Sequence, residues 1–298
     1  MHGILPLWKP KGMTSHDCVM KIRRIFGTKK VGHTGTLDPE VEGVLTICIG
    51  NATKLVPFLT VSKKTYIAEC CLGVATETED AHGAIIEEKE FVEKDFNEQI
   101  NQTLQKFQGV ITQVPPMYSA VKVNGKKLYE YARANQEVER PIRQITIFHL
   151  ERIPVTNQAE NKFSFKVVCS QGTYIRTLCV DIGRELGYPA HMSHLIRTEA
   201  GSFTQADTYT FEELEQAKQT GTERELLVPM LEGIKDMVQI EVDNDIRKRV
   251  LNGQKLPIFH QQIPTGPFAI ISNNQLLAIY QIHPENNEEI KPIRVFNK

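Results

Sequence analysis

The sequence predicts an α+β fold made of one large unit followed by a small β unit. Two observations carry this. Strand-like and helical segments alternate irregularly, without the regular βαβ rhythm of a doubly wound sheet. Beyond a helical stretch at 211–235 the texture changes to short β-like runs, Val238–Val242, Phe268–Ile271 and Leu276–Tyr280, separated by turn pairs such as Asn252-Gly253 and Asn273-Asn274. At 298 residues and 41% apolar content, the chain has material for one large core and one small one.

The elements follow in order. Gly3 to Trp8 reads as a short strand. Ser15 is placed to cap a helix running to about Phe26, with Val19, Ile22 and Phe26 on one face. Residues 43–49 form an apolar strand, and Asn51 is placed to cap a short helix carrying Leu55, Phe58 and Leu59. Residues 64–74 alternate as a strand does. Phe96, Ile100, Leu104 and Phe107 mark an amphipathic helix that Gly109 stops. After the extended Pro115-Pro116, Asn124-Gly125 signals a hairpin, and Tyr129 to Ala134 a short helix. Residues 142–155 and 162–170 read as paired strands joined by a polar connection. Gly172-Thr173-Tyr174-Ile175-Arg176 opens a helix through Leu186.

The chemistry is expected on Gly32 to Gly43. Three glycines and a proline in these twelve residues exclude a regular helix or strand, and Pro39 drives Asp38 out of the helical region. Asp38 is therefore held on a constrained loop that feeds a buried strand, with His33 and Thr34 beside it. Asp38 and Glu42 do not form a helical i, i+4 carboxylate pair, because Pro39 and Gly43 interrupt the turn. A Ser-His-Asp site lacks its G-x-S-x-G elbow, and neither a Walker loop nor a dinucleotide fingerprint is present. His191 and His194 lack further ligands nearby, and the six cysteines include no C-x-x-C pair, so no metal is expected. The cysteines fall largely in apolar runs, which suggests free thiols in a reducing compartment.

The net charge of −1 excludes a global nucleic-acid signature, but the charges are unevenly spread. Residues 1–70 hold ten Lys and Arg against five acids, whereas residues 77–98 hold nine acids against two lysines. A polyanion would be drawn to the first segment. Tyr66, beside Lys63 and Lys64, is a candidate surface for stacking a base. The N-terminus lacks a signal-peptide pattern and no apolar run reaches the ~18 residues of a membrane span, so a cytoplasmic protein without membrane contact is expected.

These motifs together resemble one family. Lys9-Pro10-Lys11-Gly12-Met13-Thr14-Ser15, the block Gly32 to Pro39, Gly50-Asn51-Ala52-Thr53-Lys54, Lys64-Thr65-Tyr66, the run Leu72 to Asp80, Pro115 to Ala120, Tyr129 to Arg133 and Cys169 to Arg176 occur in the order seen in bacterial tRNA pseudouridine synthases that modify uridine 55 of the T-arm. Trp8 departs from the pattern and is read as a local packing change. The resemblance implies a pseudouridine-synthase catalytic domain over 1–237, with a mixed, largely antiparallel sheet flanked by helices. A small PUA-like RNA-binding β-barrel over 238–298 would follow.

The resemblance further implies that Asp38 acts as the catalytic nucleophile or base and that Arg176 pairs with it. Tyr66 would stack on the target base, Tyr174 and Leu195 would complete the uridine pocket, and His33 would fill the space left by the flipped nucleotide. Lys9, Lys11, Lys29, Lys30, Lys63 and Lys64 would become phosphate contacts. The hairpin carrying Lys122, Lys126 and Lys127 would close over the arm. The reaction breaks N1–C1′ and rejoins uracil through C5, without redox change or net hydrolysis, so no cofactor is implied. The partner is the tRNA T-arm stem-loop, with no guide RNA and no obligatory protein partner. The long lysine-rich tails of the guide-dependent nucleolar relatives are missing. The alternative reading is an RNA-binding tRNA folding chaperone whose catalysis is secondary.

Overall fold

The structure, a computed structural model, describes residues 1–92, 96–156, 158–259 and 263–297. Glu93, Lys94 and Asp95 of the acidic stretch, Asn157 of the polar connection, and 260–262 and 298 of the C-terminal segment lie outside the described residues.

Among the described residues a nine-stranded mixed sheet forms the backbone of the larger unit. Its main path runs Gly3–Lys9, Glu42–Ile49, Ala190–Ala200, Lys64–Leu72, Lys162–Cys169, Arg143–Ile153 and Gly109–Gln113. Every neighbouring pair on this path is antiparallel except Glu42–Ile49 with Ala190–Ala200. Val31–Thr34 is an extra antiparallel partner of Glu42–Ile49. The helix Ser15–Ile25 packs Cys18, Val19 and Ile22 on Leu5, Leu7, Leu45 and Ile47. The helices Asn97–Lys106 and Ile175–Glu185 pack Ile100, Leu104, Leu178 and Ile182 with Tyr66, Phe163, Phe165 and Val167. Trp8 is partly buried against a third cluster, consistent with a packing role.

A second, five-stranded sheet has the order Gln239–Glu241, Phe268–Ser272, Gln275–His283, Asn286–Val295, Leu256–Pro257. It curls into the half-barrel expected of a PUA-like unit. Asn273 and Asn274 both take positive φ in its tight hairpin, as the sequence pair requires. Ala269, Leu276 and Ile279 of this sheet and Phe296 just after it share an apolar cluster with Ile4 and Val44 of the first sheet and Leu55 and Leu59 of the turn and helix that follow Glu42–Ile49, so the two units meet through core and not through a linker.

Three expectations need correction, and one strand has no sequence reading at all. Thr14, not Ser15, caps the first helix: its hydroxyl accepts from the Asp17 N–H in a capping box, which frees Ser15 for the loop below. Asn51 does not cap; Gly50–Leu55 is a 3-10 turn, and the Asn51 amide donates to the Asn297 carbonyl at 2.7 Å. The central strand Ala190–Ala200 escapes a reading by sequence pattern because His191, His194, Arg197 and Glu199 break its apolar alternation. Asn244–Leu251 is a helix within a segment read as β throughout, capped by Asp243.

Candidate active site

The loop carrying Asp38 is fastened by groups on three different elements. The Ser15 hydroxyl accepts from the Leu37 N–H at 2.9 Å and donates to the Leu37 carbonyl at 3.2 Å. The Gly12 N–H donates to the Pro39 carbonyl at 3.0 Å. Lys9 is fully buried, and its ammonium donates to the carbonyls of Pro10, Pro39 and Val41 at 2.9, 3.0 and 2.6 Å. Burial lowers the Lys9 pKa. Three carbonyl dipoles nonetheless suit a cation where no water reaches. Gly35 takes φ of +81°, the left-handed turn that aims the loop.

Asp38 stands at the rim of a cavity of about 510 Å³. Its Oδ2 meets Nη2 of Arg176 at 3.1 Å; the arginine side chain is 7% exposed and the carboxylate 42%. Arg176 enters from the first turn of its helix. Nη1 donates to the Thr78 carbonyl and Nη2 to the Tyr118 carbonyl, both at 3.1 Å, and Asp80 lies 3.9 Å away. The guanidinium is thereby fixed in place, while the carboxylate keeps one side open to the cavity.

Tyr66, Tyr174 and Leu195 line the same cavity. Tyr66 is buried, and burial raises its phenol pKa against the opposing charge of Arg197. Gln113 holds the Tyr174 backbone in both directions: its amide donates to the Tyr174 carbonyl at 3.1 Å and its carbonyl accepts from the Tyr174 N–H at 3.0 Å. The arrangement offers a slot for a ring between Tyr66, Tyr174 and Leu195, with the Asp38 carboxylate at its edge and Lys64 and Arg176 also on its wall.

Two of the expected phosphate contacts are corrected. Lys9 is the loop anchor just described and reaches no solvent. Lys64 is buried on the cavity wall, with its ammonium donating to the carbonyls of Thr60 and Ser62. Burial first, and the charge of Arg197 second, push its pKa down to about 8. Lys11, Lys29, Lys30 and Lys63 are exposed as expected. His33 lies in the strand Val31–Thr34 outside the cavity wall; its Nδ1 is buried without a partner among the described residues, and burial lowers its pKa.

Sequence reasoning missed Arg197, which lines the cavity and donates from Nε to the Val44 carbonyl and from Nη2 to the Gly35 carbonyl. A signal existed. The resemblance points to Leu195, and the two-residue period of a strand puts residue 197 on the same face.

The chain has clear relatives among known proteins. Residues 23–175 match the TruB family pseudouridylate synthase N-terminal domain, and residues 176–239 match the tRNA pseudouridylate synthase B C-terminal domain. A tRNA pseudouridine synthase B of Oceanobacillus iheyensis is 59% identical over 297 residues, 99% of this chain and 98% of that one. Its counterpart in Listeria monocytogenes is 52% identical over 300 residues, again 99% and 98% of the two chains. A chain in the crystal structure of a Cbf5-Nop10-Gar1 complex superposes with a TM-score of 0.75 at 27% identity, covering 99% of this chain and 84% of its own. Near-complete coverage at such identity leaves one conclusion: the chain belongs to the TruB family of pseudouridylate synthases.

Proposed function

We propose that this protein isomerises uridine 55 in the T-loop of tRNA to pseudouridine, with Asp38 acting on the extruded nucleotide. The observation that carries the reading is the Asp38–Arg176 pair at the rim of a cavity walled by Tyr66, Tyr174 and Leu195. A base inside a folded loop must leave its stack to reach such a slot, at a cost of a few kcal/mol. The T-loop is already irregular, which lowers that cost. Tyr66 offers its ring face to the uracil. Asp38, paired with Arg176, either bonds to C1′ or takes the proton from C2′. In both routes N1 leaves with the bonding pair, the uracil turns, and C5 bonds to C1′ as the bond to Asp38 breaks or C2′ regains its proton. His33 fills the gap left in the loop.

The same reading takes 1–237 as the catalytic part and 238–298 as an RNA-binding part. It has the protein act in the cytoplasm without a guide RNA or protein partner. Full-length identity of 59% and 52% to proteins named for tRNA modification, against 27% to a chain from a multi-protein complex, supports the stand-alone form. Among the described residues no helix is long and apolar enough to cross a membrane.

The test is pseudouridine mapping in unmodified tRNA treated with the pure protein and with Asp38→Asn. The wild type is expected to modify one T-loop position. The variant is expected to bind tRNA with little change in Kd and to form no product. Product from the variant would remove Asp38 from its role. Binding without product from the wild type would favour the folding-chaperone reading.

A further inference from the structure

The cavity wall holds a second guanidinium that the steps above do not use. Arg197 is 1% exposed. Arg176 is neutralised by Asp38, but Arg197 forms no ion pair among the described residues and rests on two carbonyls, those of Val44 at 2.7 Å and Gly35 at 3.1 Å. Lys64, on the same wall, is likewise held by carbonyls. Among the described residues Asp38 is the one carboxylate on the wall, and it is engaged with Arg176. Taking an unpaired cation out of water is costly. Two such cations beside a ligand cavity leave positive charge to be met by whatever enters.

The backbone around Arg197 is built to hold it there. Arg197 and Tyr66 are direct partners in the antiparallel register, so their side chains share a face. The register breaks immediately after Arg197, between it and Glu199, so Arg197 is the last residue of the regular run opposite Tyr66. Opposite, Gly43 takes φ of +130°, and a Cβ there would fall 2.2 Å from the Arg197 carbonyl oxygen, so only glycine lets the strands close.

We infer that Arg197 stabilises the negative charge that uracil acquires when it leaves the sugar. The inference rests on the pseudouridine-forming reading of the site. When N1–C1′ breaks, the electron pair stays on N1 and spreads to O2 and O4. This happens whether Asp38 has bonded to C1′ or has removed the C2′ proton. Bonding of C5 to C1′ discharges the anion: on the first route the bond from C1′ to Asp38 breaks and frees the carboxylate, on the second C2′ takes back its proton from Asp38. Afterwards C5 loses its proton and N1 gains one. A fixed, buried cation acts on such a transient charge without reorganising, and loss of one such group typically slows a reaction on the order of 10²-fold or more. Lys64 adds to the same field.

Arg197 also holds the Gly35 and Val44 carbonyls, so a simple loss of rate does not separate charge from scaffolding. Leaving-group acidity does. Single-turnover rates of glycosidic bond cleavage are measured on T-arm RNA bearing uridine or the more acidic 5-fluorouridine at the target. Wild type is compared with Arg197→Gln and Arg197→Lys. The glutamine variant is expected to be slowed on the order of 10²-fold with uridine and roughly tenfold less severely with 5-fluorouridine. RNA affinity is expected to stay unchanged. The lysine variant, which keeps a displaced charge, is expected to recover part of the rate. If the glutamine variant does not fold, the lysine variant reads the same comparison. An equal penalty on both substrates overturns the role of Arg197. A wild type that forms no pseudouridine overturns the reading of the site instead.

Discussion

The buried ammonium of Lys9 meets the carbonyl oxygen of Val41 at 2.6 Å, three residues beyond Asp38, and binds Pro39 from the same atom. Lysine in a basic N-terminal segment suggests phosphate binding. Here the charge points inward and fastens the loop that holds the Asp38 carboxylate at the cavity rim.

Lys9→Met keeps most of the side-chain volume and removes those bonds. The freed loop moves Asp38 relative to the cavity, and misplacement of a reacting group by about 1 Å costs on the order of 10²-fold in rate. The expected result is a kcat lower by about 10- to 100-fold, with the Kd for tRNA and its salt dependence unchanged. A kcat equal to wild type would show that the other fastenings, through Ser15 and Gly12, suffice.

The exposed lysines behave differently. Lys63 lies in the open with its ammonium 4.2 Å from the centre of the Phe148 ring, and Lys30 is exposed before the strand Val31–Thr34. Each cation that neutralises a phosphate adds about 1 to the slope of log Kobs against log salt. Lys63→Ala and Lys30→Ala are therefore expected to flatten the slope by up to about 1 apiece. Titration of binding between low and moderate salt reads this directly; an unchanged slope removes the residue from the interface.

Lys64 ties the cavity to stability. Its pKa is about 8 in the folded protein and 10.5 in the open chain. Between those values the unfolded state holds a proton that the folded state has released, so stability rises with pH across that window. Below pH 8 both states are protonated, and the full cost of the buried charge is present. A pKa difference of one between the two states corresponds to about 1.36 kcal/mol. From about pH 7.5 to pH 10 the wild type should therefore gain about 2–3 kcal/mol relative to Lys64→Met. Urea unfolding of both proteins at the two pH values checks it; a constant gap would place the Lys64 charge in contact with solvent.

Local pattern carried most of the architecture. The strand at Gly3, the helix before Phe26, the Asn124-Gly125 hairpin and the helix opened by Tyr174 all follow from apolar spacing and turn chemistry. The Asp38 loop was legible because Gly35 and Asp-Pro allow few backbone courses. What escaped depends on tertiary burial. Arg197, Lys9 and Lys64 look like surface residues in a one-dimensional reading, since cations are rarely buried without partners. Their partners are backbone carbonyls, most of them distant in sequence, and no residue type announces a carbonyl. The strand Ala190–Ala200 was hidden for the same reason: its polar side chains serve the cavity and its flanks instead of a uniform core.

The contact between the two sheets yields the last prediction. Lys54 Nζ donates to the Val295 carbonyl and Asn51 to the Asn297 carbonyl, both at 2.7 Å, and Phe296 sits in the apolar cluster with Leu55 and Leu59. A chain ending at residue 237 would uncover that cluster, Ile4 and Val44 included. Baring several such side chains costs about 1.5–3 kcal/mol each, a large part of the roughly 5–15 kcal/mol that holds a typical domain. The truncated chain is expected to melt at a much lower temperature or to aggregate, so lost activity would not by itself reveal an RNA contact in 238–298. Thermal melts of the truncated and full-length chains decide this. An unchanged Tm would mean that the first sheet closes its core alone, and the C-terminal sheet's contribution to tRNA affinity could then be read directly from the truncated protein.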